Sequence, residues 1–230
     1  MENNNQTKTL MPIVELFKKS FDVYQKKVWT LAGLALFSLV GFVVLLPFAA
    51  AAFFVNYKMF TKGQFDLVSI LIGVLLMLIG ILLCIVLSLW AKVALFYAVK
   101  EHDINFKKAL SIAWPQMGSF FWVGFLHVLA VLGGFILFVI PGIIFSVWFI
   151  FSDYIFVWDG IKGTGALKRS KQLVKGIWWP VFLRFLTIAI ILFLISSIKF
   201  FGPFINLFFI APFAIVYMMS LYEDVKSVKG

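Results

Sequence analysis

Four ionisable side chains lie inside apolar stretches long enough to cross a membrane, and they are the residues best placed to do chemistry: Lys92, His127, Asp153 and Arg184. A charged group at such a depth is costly, so it pairs with another group or lines a polar cavity used for transport or proton transfer. Each of the four lies about five to seven residues from the basic end of its stretch, which is roughly 8 to 11 Å at helical rise. We therefore predict an intramembrane polar layer in which Asp153 accepts from Lys92 or Arg184.

A second interpretation gives these residues no function. The charged ends of Lys92 and Arg184 would then extend to the membrane surface, and Asp153 would form a structural pair. A single histidine on an apolar face, such as His127, is typical of a hydrogen-bonded packing residue.

The composition places the chain in a lipid bilayer. Of its 230 residues, 63% are hydrophobic, 13% are charged and 29 are Phe, which leaves too little polar surface for a soluble domain. The formal charge of +10 comes from residues that flank the apolar stretches, so we expect no nucleic acid partner. With Cys84 as its single cysteine and only two histidines, the chain has neither a disulfide framework nor a metal-binding pattern, and we expect no metal and no cofactor.

Hydropathy predicts an all-α polytopic membrane protein in which residues 1–230 form one domain with six transmembrane helices. The predicted spans are 28–55, 67–99, 120–140, 143–158, one opened by Trp178-Trp179-Pro180, and one after Phe201-Gly202-Pro203. Pro141-Gly142 is predicted to turn the chain between the third and fourth spans. The polar N-terminus lacks the pattern of a cleaved signal peptide, so we expect the first span to direct insertion itself.

A basic amphipathic segment precedes the first, third and fifth spans, over residues 12–27, 101–119 and 164–177, so each membrane hairpin follows one interfacial helix. Asn105 and Thr164 are predicted N-caps. In the third segment, one face is predicted to contact lipid and the other to contact water or anionic headgroups. The lipid-facing set is Ala166, Leu167, Ser170, Leu173, Val174 and Ile177, and the basic set is Lys168, Arg169, Lys171 and Lys175. The resemblance among the three units suggests internal repeats over residues 12–66, 101–160 and 163–222.

The basic residues also predict orientation. Sixteen of the twenty Lys and Arg residues lie on one side of the six spans, three lie on the other side, and Arg184 lies within a span. Because positively charged flanks stay inside, we expect both termini and all three amphipathic segments to be cytoplasmic.

One part of the chain resembles a known family. The residues that carry the resemblance are Ile140-Pro141-Gly142, Gly165-Ala-Leu-Lys-Arg-Ser170, Leu173-Val174-Lys175-Gly176 and Trp178-Trp179. This pattern, over residues 139–184, resembles the membrane domain named after glycerophosphoryl diester phosphodiesterases and the related YciC-type bacterial integral membrane proteins. The resemblance implies a six-helix bacterial membrane protein. No stretch of the sequence corresponds to the soluble barrel that holds the active site of those phosphodiesterases, so no activity is carried over.

The sequence favours a non-enzymatic protein of the bacterial cytoplasmic membrane that organises the membrane or interacts with lipid. No Gly-rich phosphate loop, metal cluster or nucleophile with a His and carboxylate can be assembled from its residues. The expected partners are anionic membrane lipids, with a second copy of the chain or another membrane protein as further candidates. The alternatives are a small transporter or channel with a polar cavity in the inner leaflet, or a membrane subunit of a separately encoded enzyme. A hydrated cavity at the polar layer would favour transport.

Overall fold

The computed structural model describes residues 9–63, 66–101, 104–199 and 201–229. Within these ranges the chain forms α-helices and short helical turns and no β-strand, which confirms the predicted all-α class. The helices are α1 (Ile13–Ser38), α2 (Val40–Val55), α3 (Tyr57–Lys62), α4 (Leu67–Lys100), α5 (Phe106–Ala113), α6 (Met117–Leu137), α7 (Val139–Trp148), α8 (Ser152–Asp159), α9 (Thr164–Val174), α10 (Trp178–Ser196), α11 (Gly202–Ile205) and α12 (Ala211–Lys229).

Six helical runs in the described part of the chain are long and apolar enough to cross a membrane: Ile13–Lys62, Leu67–Lys100, Phe106–Leu137, Val139–Asp159, Trp178–Ser196 and Gly202–Lys229. Many large apolar side chains on them face outward, among them Leu71 and Leu82 of α4, which are 59% and 62% exposed. An apolar surface of this extent needs lipid to cover it. The chain is an all-α polytopic membrane protein.

The first two amphipathic segments are not separate from the spans that follow them. Residues 12–27 begin α1, which continues into the first span because nothing breaks the helix before Leu39. α5 joins α6 through a single 3-10 turn, Trp114–Gln116, that contains a proline. Asn105 caps α5 as predicted, its side chain accepting from the amide of Lys108 at 2.9 Å. The predicted cap at Thr164 is wrong, because Gly163, with φ 57°, occupies the N-cap of α9.

The turn between the third and fourth spans lies earlier than predicted. Phe138 is the extended residue between α6 and α7, and Pro141-Gly142 belongs to the first turns of α7. Proline is tolerated there because an amide in the first turn has no helical partner. A Cβ atom placed on Gly134 would lie 3.0 Å from the Cα atom of Gly142, so the hairpin closes with the two backbones in contact.

The fourth span is broken in its middle. α7 ends at Trp148 and α8 begins at Ser152, which leaves the carbonyl of Trp148 and the amide of Phe151 without helical partners. Both are satisfied by the buried hydroxyl of Ser170 on α9: it donates to the Trp148 carbonyl at 2.7 Å and accepts from the Phe151 amide at 3.2 Å. Irregular backbone within a span is tolerated only where protein satisfies its polar groups.

Protein-buried side chains concentrate at the end of the molecule that carries the amphipathic segments. On α4 the buried residues cluster between 91 and 99, whereas the first half of the helix presents exposed side chains. The aromatic centre of this core includes Phe120, Phe151, Tyr217 and Tyr222, all fully buried. At the other end, α2 and α4 pack closely through Gly80, where a Cβ atom would lie 2.8 Å from the Cβ atom of Phe48.

The apolar faces of the amphipathic segments pack into this core. On α9, Ala166, Leu167, Ser170, Leu173 and Val174 are buried against other helices, so the prediction that they contact lipid is wrong. Leu16 and Ser20 of α1 and Ala109 of α5 are also fully buried. Amphipathic periodicity shows which face is apolar, and it cannot distinguish a cover of lipid from a cover of protein.

The first described residues and the last helix lie together. Asp224 of α12 accepts from the amide of Met11 at 2.8 Å, and Lys19 of α1 lies 3.5 Å from Glu223. α12 continues to Lys229, so residues 223–229 are helical. A π-helical turn, Asn206–Ile210, separates α11 from α12, and Pro212 lies in the first turn of α12.

We expect Ser170→Ala to lower the free energy of unfolding by about 1 to 3 kcal/mol, because it leaves a buried amide and a buried carbonyl without partners. Ser146→Ala is the matched control, since its hydroxyl donates only to the carbonyl of Ile143 within its own helix. Thermal unfolding in detergent measures both. Equal stability of the two variants would contradict the role of Ser170.

Candidate functional site

Three of the four predicted polar-layer residues lie together, between α4, α6 and α8. The ammonium group of Lys92 lies 3.1 Å from Oδ2 of Asp153, and His127 lines the same groove. Of the two donors predicted for Asp153, the structure pairs it with Lys92. The side chain of Lys92 is 51% exposed and that of Asp153 is 16% exposed, so the pair lies at the edge of the helix bundle.

The local sequence explains why a carboxylate is tolerated here. Asp153 lies in the first turn of α8, the helix that restarts after the break in the fourth span. The N-terminus of a helix favours a negative charge. The ammonium group of Lys92 also lies 5.1 Å from the ring centroid of Phe120 and 5.9 Å from that of Phe96, within range of a cation–π attraction. The N-terminus of α8 thus stabilises the carboxylate of Asp153, and the two aromatic rings stabilise the ammonium group of Lys92.

The groove beside this pair has a volume of about 490 Å³. Its walls are mainly aromatic and aliphatic, and Gly124 leaves open space where a side chain would stand. Oδ1 of Asp153 is buried and has no hydrogen-bond partner. A carboxylate oxygen without a hydrogen-bond partner, in a groove that Lys92 and His127 also line, can bind a proton or a small polar group. The lining residues are Leu89, Lys92, Phe120, Phe121, Gly124, Phe125, His127, Val128 and Asp153.

Arg184 lies apart from these three residues and ties the N-terminal segment to α10. Its guanidinium donates to the carbonyls of Met11 at 2.6 Å, Leu10 at 3.4 Å and Pro180 at 3.0 Å. These hydrogen bonds give Arg184 a structural role, because its guanidinium satisfies backbone carbonyls of the N-terminal segment.

The four predicted lipid-contacting residues surround the outer face of α9. Lys168, Lys171 and Lys175 are exposed and Arg169 is partly exposed. Within the ranges that the structure describes, none of the four forms an ion pair. The ammonium group of Lys171 lies 4.2 Å from the ring centroid of Trp148, which orients it toward the end of α7. The face is a cationic surface without internal counter-ions.

Beside this face lies an apolar groove that the sequence reasoning missed. It has a volume of about 520 Å³ and lies between α7 and the start of α10. The signal in the sequence was the run from Lys175 to Trp179, in which Lys175 was assigned to the basic face and Trp178-Trp179 to the opening of a span. The lining residues are Ile140, Ile143, Ile144, Trp148, Lys175, Gly176, Trp178 and Trp179.

A third polar cluster closes the basic end of the molecule. Asp159, at the end of α8, accepts from the hydroxyl of Tyr222 at 2.8 Å and lies 2.5 Å from the ammonium group of Lys226. Both partners belong to α12, so these bonds lock the last helix against the fourth span. Among the described residues, no three His, Cys, Asp or Glu side chains come together as a metal site.

Comparisons of the chain with protein-family models, with curated protein sequences and with solved structures find no match.

Proposed function

We propose that this chain is a non-enzymatic, lipid-interacting protein of the bacterial cytoplasmic membrane, with anionic lipid as its partner. The observation that carries the proposal is the placement of α9, whose apolar face is covered by protein rather than lipid. The basic side chains therefore point away from the helix bundle, which holds α9 in place. Each Lys or Arg near an anionic membrane surface contributes about 1 kcal/mol of attraction.

The proposed orientation has both termini in the cytoplasm. The Lys and Arg distribution supports it, as do the contacts that join Met11 to Asp224 and Lys226 to Asp159 at one end of the molecule. An even number of spans agrees with termini on one side. The positively charged end then faces the cytoplasm.

Cysteine labelling tests this orientation in a Cys84→Ser background. Single cysteines at the exposed positions Thr9 and Thr164 should react with a membrane-impermeant maleimide only after the inner membrane is permeabilised. Cysteines at Lys62 and Lys199, exposed at the opposite end, should react in intact cells with a permeable outer membrane. Labelling of Thr9→Cys or Thr164→Cys in intact cells would reverse the proposed orientation.

Neutralising the basic face tests lipid interaction. The variant Lys168→Gln/Arg169→Gln/Lys171→Gln/Lys175→Gln should retain less anionic lipid in native mass spectrometry and should lose the salt-sensitive part of its stabilisation by that lipid, because up to four attractions of about 1 kcal/mol each are removed. Lys62→Gln/Lys199→Gln, at the opposite end, is the control and should retain lipid as the parent does. Unchanged retention in the quadruple variant would remove the main support for the proposal.

A second candidate, a small transporter or channel, is favoured by one observation: the groove at Lys92, His127 and Asp153 with its vacant carboxylate oxygen. Transport needs this groove to hold water, whereas a lipid-interacting scaffold needs no water there.

Two glycines on α6 distinguish the candidates, since a Cβ atom meets nothing within 4 Å at either Gly124 or Gly133. Gly124 lines the groove and Gly133 does not. The transport candidate predicts that a charged methanethiosulfonate modifies Gly124→Cys but not Gly133→Cys. The reactive thiolate forms only where water reaches the cysteine, and a charged reagent reaches it only through water. Protection of both cysteines would count against transport.

A further inference from the structure

The apolar groove between α7 and α10 opens beside three ammonium groups. Lys175 lies on its rim, and Lys171 contacts the ring of Trp148, which forms part of its wall. A Cβ atom placed on Gly176 would lie 3.3 Å from the ammonium nitrogen of Lys229, so α12 brings a third cation to the same rim. None of the three lysines forms an ion pair within the described ranges, so the described part of the rim is positively charged.

The walls of the groove are suited to a hydrocarbon chain. Ile140, Ile143 and Ile144 line it along α7, and between Ile140 and Trp148 that helix extends about 12 Å at helical rise. Trp179 is 66% exposed at the start of α10, a position typical of an indole at the membrane surface, where its N–H can donate to a headgroup. The groove therefore has a polar opening, at the lysines and Trp179, and apolar walls along α7.

A second groove of similar size provides the comparison. It lies between α2 and α4 and has a volume of about 540 Å³. Its described lining residues, which include Phe53, Gly73 and Met77, contain no Lys or Arg. Such a groove can take a hydrocarbon chain but cannot select a headgroup by charge. Charge complementarity separates the α7–α10 groove from it.

We propose that the α7–α10 groove is a binding site for one anionic phospholipid, with an acyl chain along α7 and the phosphate bound by Lys175 with Lys171 and Lys229 nearby. The inference rests on the proposed lipid interaction and names its specific site. It differs from general attraction to the membrane surface because it requires the groove as well as the charge.

Native mass spectrometry of the purified full chain tests the site, with phosphatidylglycerol and phosphatidylcholine of identical acyl chains as probes. The parent should retain one phosphatidylglycerol in preference to phosphatidylcholine. Lys175→Gln should lower that retention about fivefold, the effect of losing one cation at an anionic headgroup. Ile143→Trp, which fills the groove, should abolish retention, while Met77→Trp in the α2–α4 groove should leave it unchanged.

The outcomes separate this site from the broader proposal. If Lys168→Gln/Arg169→Gln lowers the salt-sensitive retention of phosphatidylglycerol while Lys175→Gln and Ile143→Trp do not, surface attraction stands and the groove site is overturned. Equal retention of both lipids by the parent would also overturn it, since the site would not select charge. The exposed Lys175→Gln substitution decides the test if Ile143→Trp unfolds the protein.

Discussion

The hydroxyl of Ser170 donates to the carbonyl of Trp148 and accepts from the amide of Phe151, and this pair of hydrogen bonds holds α9 against the break in the fourth span. Without them the break would leave two buried polar groups unpaired inside the protein. The same break allows α8 to restart with Asp153 in its first turn. Ser170 thus holds α9, which carries the basic face, against the break from which α8 begins.

The protein-covered position of α9 changes what its charges can do. An amphipathic helix whose apolar face lies in lipid binds the membrane through both faces, so its basic residues are one part of an anchor. Here the anchor is the surrounding helix bundle, because Leu173, Val174 and their neighbours are buried in protein. The basic side chains are left as an outward-facing surface on a helix whose position the protein fixes, and selective contact with anionic headgroups is the role that we propose for it.

The ion pair between Lys92 and Asp153 is compatible with either a structural or a transport role. It lies at the edge of the bundle, and its carboxylate is further stabilised by the N-terminus of α8, so neither charge is left uncompensated. The vacant Oδ1 atom and the open space beside Gly124 are the features that a purely structural pair does not need. Water in that groove is the physical quantity that separates the two roles.

The local sequence determined the all-α class and the six spans through hydropathy, and the basic end of the molecule through the Lys and Arg distribution, because these properties depend on residues close together in the chain. It also identified Lys92 and Asp153 as costly charges needing partners. Only the tertiary structure decided that they pair, that Arg184 instead binds the carbonyl of Met11, and that protein covers α9. The residues in these contacts lie tens to hundreds of positions apart, and a local pattern shows what a face is made of without showing what will cover it.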